Sequence, residues 1–232
     1  MGYQVAIIED EPAIRENYAD ILKRQGYEVT GFADRQAALA AFELRLPDLA
    51  LIDIGLGKEV DGGFALCQWL RAKSATLPII FLSARDSDFD VVSGLRMGAD
   101  DYLTKDISLH HLIARVAALF RRVEAMAQPQ QDEASLRRGN LLIDLNRVSA
   151  AWANKPVDLT LTEFWMVHSL VRHPGHVKSR QQLMKDSQMV VDDTTITSHI
   201  KRIRQKFAAV DPTFDAIETV YGMGYRWHDR TS

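Results

Sequence analysis

Short apolar runs alternate with amphipathic stretches through the first 120 residues, and no other feature limits the possible folds as tightly. Val5–Ile8, Glu28–Phe32, Leu49–Ile52, Ile79–Leu82 and Tyr102–Thr104 read as strands. Helical patterns fall near 12–25, 34–45, 64–73, 88–97 and 108–126. Repeated βα units require a parallel sheet covered on both faces, joined by right-handed crossovers. In such a sheet chemistry collects beyond the carboxyl ends of the strands.

The residues at those ends are polar and chemically matched. Glu9 and Asp10 end the first strand, Asp53 the third, Ser83 the fourth and Lys105 the fifth. Three carboxylates at one place attract a hard cation such as Mg²⁺. A carboxylate so placed can attack phosphorus. Ser83 and Lys105 can meet the phosphoryl oxygens with a hydrogen bond and a positive charge.

Polar residues 125–135, with Pro129, read as a linker between a first domain (1–124) and a second (136–232). The charge divides there. Residues 1–135 hold 14 Lys and Arg against 21 Asp and Glu, a balance of −7, and residues 136–232 hold 14 against 10, or +4. An acidic half suits a cation and a basic half suits phosphates. The single Cys67, in a helical pattern, excludes an internal disulfide and a multi-cysteine metal site. No apolar run reaches the roughly 18 residues of a membrane helix, and no signal-peptide pattern opens the chain. A cytoplasmic protein without membrane attachment is expected.

In the second domain strand-like segments near 136–159 precede three helices and a terminal hairpin, the order of a winged helix. Thr160 and Glu163 have capping-box spacing at the start of a helix that runs to about Arg172. A second helix covers 179–186 and a third runs from Asp193 to Ala209. In the third, Ile196, Ile200, Ile203 and Phe207 form one apolar stripe. Thr194, Ser198, Lys201, Arg202 and Gln205 fall on the far side, with His199, Arg204 and Lys206 beside them. A basic, hydrogen-bonding outer face suits a DNA major groove. Ile217–Tyr221 and Gly224–Trp227 form the hairpin.

Residues 3–123 resemble a receiver domain of bacterial two-component response regulators. The resemblance lies in Ile7-Ile8-Glu9-Asp10-Glu11, Leu51-Ile52-Asp53, Leu82-Ser83-Ala84-Arg85 and Gly98-Ala99-Asp100-Asp101-Tyr102-Leu103-Thr104-Lys105. Residues 136–228 resemble the winged-helix output domain of the OmpR/PhoB subfamily, through Leu161-Thr162-Glu163-Phe164, His173-Pro174-Gly175, Ser179-Arg180-Gln181-Gln182-Leu183, His199–Lys206 and the wing Thr219–Arg226.

The resemblance implies a flavodoxin-like α/β receiver (five parallel strands, order 2-1-3-4-5) followed by an α+β winged helix. It implies that Asp53 takes a phosphoryl group from a sensor histidine kinase. Mg²⁺ would lie among Glu9, Asp10, Asp53 and the backbone carbonyl of Gly55. Ser83, Tyr102 and Lys105 would form the switch. A homodimer face on the receiver would draw on Asp100, Asp101, His111, Arg115 and Arg122. Double-stranded DNA with direct-repeat sites would meet Thr195, Ser198, His199, Lys201, Arg202, Arg204, Thr219 and Tyr221, and RNA polymerase is an implied partner.

The chain departs from the family pattern at several places. Asp106 follows Lys105 where proline in a cis bond is usual. A cis bond to a non-proline costs about 2.5–4 kcal/mol, and the isomer of this bond stays open. The loop after Asp53 is glycine-rich and lacks the usual proline, and Glu9 replaces an aspartate. Val91 and His111 stand where a basic and an acidic partner are common. Thr194 and Tyr221 each stand where arginine is common, and 184–191 lacks a tryptophan often found before the recognition helix. Two other readings stay open: a phosphorylation-independent regulator that uses the receiver as a dimer module, and a Mg-dependent phosphatase. The phosphatase would want a second aspartate two residues after the nucleophile, where Gly55 stands.

Overall fold

The computed structural model describes residues 2–84, 97–127, 135–186 and 193–228. The chain divides into two compact units, Met1–Ala117 and Ala118–Ser232.

The first unit is built on five strands, β1 (Gln4–Ile8), β2 (Glu28–Phe32), β3 (Leu49–Asp53), β4 (Ile79–Ser83) and β5 (Asp101–Thr104). All neighbours pair in parallel, in the order β2-β1-β3-β4-β5. Every residue of β3 and β4 is buried. That is why both strands read as unbroken apolar runs rather than as alternating ones. The covering helices are α1 (Pro12–Arg24), α2 (Arg35–Leu44) and α3 (Gly62–Lys73), and α4 (Leu109–Ala127) follows β5. Pro12 at the first turn and Asp34 as N-cap, accepting from the Ala37 N–H at 2.8 Å, set two of the starts. The helix expected near 88–97, with Arg85 and Val91, lies outside the described residues.

Gly63 fixes the join between β3 and α3. Its N–H donates to the carbonyl of Ile54 at 2.9 Å. A Cβ at this position would lie 2.1 Å from the carbonyl oxygen of Asp53. Only glycine lets the helix start so close to the strand end that carries Asp53.

Residues 125–127, expected in a linker, are the last turn of α4, and Ser135 already opens a strand. The second unit begins with an antiparallel sheet of β6 (Ser135–Arg138), β7 (Leu141–Asp144), β8 (Ser149–Trp152) and β9 (Lys155–Val157). Helices α5 (Leu161–Arg172), α6 (Arg180–Asp186) and α7 (Asp193–Val210) follow, then the hairpin β10 (Ile217–Val220) and β11 (Gly224–Trp227). The stripe Ile196, Ile200, Ile203 and Phe207 is fully buried. Phe207 stacks on Phe214 at 4.4 Å between ring centres; Trp152 meets both rings edge-on, and Trp227 meets Phe207 edge-on and Phe214 at a tilt. The expected capping box forms: Thr160 Oγ1 accepts from the Glu163 N–H, and Glu163 Oε2 accepts from the Thr160 N–H.

Among the described residues no helix is long and apolar enough to cross a membrane.

Candidate functional site

At the carboxyl edge of the parallel sheet one carboxylate oxygen from each of Glu9, Asp10 and Asp53 falls within a 4.8 Å cluster. Lys105 reaches in from the end of β5. Its Nζ lies 2.8 Å from Asp53 Oδ2 and 2.8 Å from Glu9 Oε1. The chain contains no cis peptide bond among its described residues, so Lys105–Asp106 is trans. Lys105 reaches Asp53 with aspartate in place of proline.

Two residues of α1 hold this arrangement and were not singled out from the sequence. Arg15 Nη1 donates to the carbonyl of Glu9 at 2.6 Å, and Tyr18 Oη donates to the carbonyl of Lys105 at 3.4 Å. Their signal was spacing: they sit within two turns of the acidic pair, on the first helix after it.

One lysine does not balance three carboxylates. Burial pushes the Asp53 carboxyl above the usual range, against the lowering pull of Lys105. Burial and repulsion from Asp53 push Glu9 the same way, again opposed by Lys105. Glu9 is 1% exposed, and its Oε2 has no hydrogen-bond partner among the described residues. A buried oxygen without a partner, in an acidic cluster of hard ligands, fits a hard divalent cation such as Mg²⁺.

Ser83 and Tyr102 are buried. Ser83 lies at the end of β4, and its carbonyl accepts from the Lys105 N–H at 2.8 Å. Tyr102 packs edge-on against Phe81 in the core under the sheet. The proposed dimer-face residues separate. Asp101 pairs with Arg115 at 3.3 Å, and His111 is exposed on α4. Asp100 instead turns inward, 1% exposed, with Arg71 Nη2 at 2.7 Å and the Ile79 N–H at 3.1 Å. Arg122 is buried in the second unit and donates to Thr162 Oγ1 at 2.8 Å. Neither of these two side chains presents a surface charge.

The second unit corrects the reading of α7. Arg202, placed on the outer face from the sequence, is 5% exposed, and Thr195 and His199 are buried too. The reason is Glu163. It is fully buried on α5, with Arg202 Nε 2.8 Å from Oε1 and Lys206 Nζ 2.6 Å from Oε2. His199 Nδ1 lies 2.8 Å from Arg202 Nη2. A guanidinium only donates, so Nδ1 accepts there. His199 and Arg202 are thus buried polar positions beside the apolar stripe, with Lys206 half-buried at their end, and Glu163 is both a cap and a counter-ion. The capping box was legible in the sequence, but the second role needed α7 to pack on α5.

The outward face of α7 is Thr197, Ser198, Lys201, Arg204 and Gln205. With the hairpin it bounds a cleft of about 590 Å³, lined by Arg180, Thr197, Lys201, Arg204, Thr219 and Tyr221 among others. Arg204 is fixed within it: its guanidinium donates to the Ile217 carbonyl and Thr219 Oγ1 at 2.8 Å and lies over the Tyr225 ring. Arg180 lies over the same ring. Side chains of 193–194 and most of 184–191 lie outside the described residues, so the expectations about Thr194 and the missing tryptophan do too.

A parallel sheet with an acidic strand-end cluster and its lysine, followed by a winged helix with a basic cleft, defines a response regulator. Comparison with known families agrees in both halves. Residues 5–117 match the response regulator receiver domain, and residues 154–227 match the family described as transcriptional regulatory protein, C terminal. The transcriptional regulatory protein BaeR of Escherichia coli is 36% identical over 97% of this chain and 92% of its own length. The sensory transduction protein RegX3 of Mycolicibacterium smegmatis is 36% identical over 96% and 97%. A solved RitR mutant shares the fold, with a TM-score of 0.76 at 22% identity over 98% of this chain and 100% of that one. The chain belongs to the OmpR/PhoB response regulators, which makes it a phosphorylation-controlled, DNA-binding transcriptional regulator rather than an enzyme.

Proposed function

We infer that Asp53 is the phosphoacceptor of this regulator. The observation that carries the reading is Lys105 Nζ held between Asp53 and Glu9, at the place where Asp10 completes a three-carboxylate cluster. An Asp53 oxygen attacks phosphorus, the phosphorus–nitrogen bond to a phosphohistidine of a sensor kinase breaks, and the imidazole takes the electron pair. Lys105 offsets the charge gathering on the phosphoryl oxygens. Glu9, Asp10, Asp53 and the Gly55 carbonyl would hold Mg²⁺, which would supply the neutralisation that lets two anions approach. Ser83 takes a phosphoryl oxygen, and Tyr102, already buried against Phe81, is the second member of the switch.

Phosphorylation then favours a homodimer through the α4–β5 face, where Asp101, Arg115 and His111 stand. The dimer reads direct-repeat double-stranded DNA with the outward face of α7 in the major groove. Lys201, Ser198 and Arg204 carry that contact, Thr219 and Tyr221 extend it, and RNA polymerase is the downstream partner. His199, Thr195 and Arg202 support the helix from behind.

The test is intact mass after incubation with a small phosphodonor and Mg²⁺, followed by DNA binding. Wild type gains one phosphoryl group and binds DNA more tightly, whereas Asp53→Ala and a chelator each abolish the gain. An unmodified wild-type protein that binds DNA equally well with and without phosphodonor would establish a constitutive regulator instead.

A further inference from the structure

The tip of the hairpin carries no charge. Between Val220 and Tyr225 the residues are Tyr221, Gly222, Met223 and Gly224. Tyr221 is 94% exposed and Met223 is 61% exposed, so two large side chains stand in solvent at one turn. The turn closes by the Met223 N–H donating to the Val220 carbonyl at 3.0 Å, with Gly222 at φ +74°.

The base of the hairpin is fixed as firmly as its tip is bare. Lys178 and Tyr225 exchange backbone hydrogen bonds at 2.7 and 2.9 Å. A Cβ on Gly224 would lie 2.0 Å from the Lys178 carbonyl oxygen, so glycine is what admits this close backbone pairing. Arg204 grips the Ile217 carbonyl and Thr219, and Glu218 pairs with Arg226 at 2.7 Å. The two exposed side chains ride on a rigid support, so little ordering is lost when they are buried.

Their neighbours say what buries them. Tyr221 and Gly222 line the same cleft as Arg180, Lys201 and Arg204. Three cations suit a phosphate strand between two grooves. With α7 in the major groove, the tip lies across that strand, at the adjacent minor groove. Neither side chain brings a charge to the phosphates, but a ring and a thioether can enter an opened base step as a wedge. We propose that Tyr221 and Met223 form an apolar wedge that enters the minor groove of bound DNA and opens a deformable base step, bending the duplex. Pyrimidine–purine steps open most easily. The wing therefore selects its site by the ease of deforming it.

The inference rests on the reading of the α7–hairpin cleft as the DNA interface, and the test separates the two. The probe is a short duplex enriched from a random pool by the full-length protein treated with acetyl phosphate. 2-Aminopurine placed at each step beside the recognition element reports unstacking, and energy transfer between labelled ends reports the bend. Wild type brightens one step and shortens the end-to-end distance. Tyr221→Ala combined with Met223→Ala loses both signals and weakens binding about tenfold, with the salt dependence unchanged because no charge is lost. Tyr221→Phe retains both signals, since the ring and not the hydroxyl is inserted. If Lys201→Ala weakens binding while the double variant keeps wild-type affinity, unstacking and bend, the wedge is wrong and the interface stands. If neither variant changes binding, the interface reading fails as well. Loss of the signals on Tyr221→Phe would also overturn the wedge, in favour of a hydrogen bond to phosphate.

Discussion

Lys105 Nζ stands 2.8 Å from Asp53 Oδ2 and 2.8 Å from Glu9 Oε1, so one ammonium group bridges two buried carboxylates from different strands. Both carboxyls are nonetheless held above their usual range by burial. Removing the lysine leaves two like charges facing each other and no cation for the incoming phosphoryl group. Lys105→Met is expected to slow phosphoryl uptake about a hundredfold, by analogy with the loss of one electrostatic donor in an active site. Time-resolved intact mass with a small phosphodonor measures it, and an unchanged rate would remove Lys105 from the chemistry.

Gly63 packs against the backbone of the residue that carries the chemistry. Gly63→Ala puts a methyl group 2.1 Å from the Asp53 carbonyl oxygen, and backbone must move. The substitution is expected to destabilise the receiver by about 1–3 kcal/mol and to slow phosphorylation as well. Gly57→Ala would serve as a control, since it has nothing within 4 Å but a φ of +64°, and should cost stability alone. Denaturant midpoints and phosphorylation rates for the pair give the answer.

Glu163 makes the winged helix acid-sensitive. Burial alone would raise its pKa, but Arg202, Lys206 and the Thr160 N–H overcome burial and hold it at about 2. A carboxyl depressed in the folded state contributes stability that is complete above its ordinary value of 4.5 and lost as pH falls toward 2. The loss is of order 3 kcal/mol. Unfolding followed by the fluorescence of Trp152, Trp165 and Trp227 should show this decline between those pH values, and Glu163→Gln should flatten it. A wild-type profile as flat as the variant's would count against the network.

Arg202 and Lys201 are adjacent in sequence and opposite in fate. Arg202→Ala removes one member of a buried charge cluster and is expected to cost about 3–5 kcal/mol of stability. Lys201→Ala should leave stability within about 0.5 kcal/mol. It should weaken DNA binding across sequences and lower the salt slope by about one. Stability and salt-dependent affinity measured on both variants test the assignment. Equal loss of DNA affinity with no loss of stability in Arg202→Ala would return Arg202 to the DNA face.

The sequence by itself determined the strands, their ends and the capping box, because each depends on short-range pattern, whereas the strand order came from the family resemblance. β3 and β4 are continuous apolar runs ended by Asp53 and Ser83, and Thr160 and Glu163 are three residues apart. The apolar stripe of α7 was legible for the same reason. The polar positions beside it were not. Helical spacing puts Lys201 and Arg202 equally far from the stripe and His199 beside it, and nothing local says which of them a neighbouring helix covers. Only the tertiary structure decided that, by setting a buried carboxylate of α5 opposite Arg202 and Lys206. A buried charge is tolerated only where an opposite charge meets it, and the partner lies about forty residues away. The same holds for Asp100, drawn inward by Arg71, and for Lys105, which meets Asp53 only because β3, β4 and β5 lie side by side in the sheet.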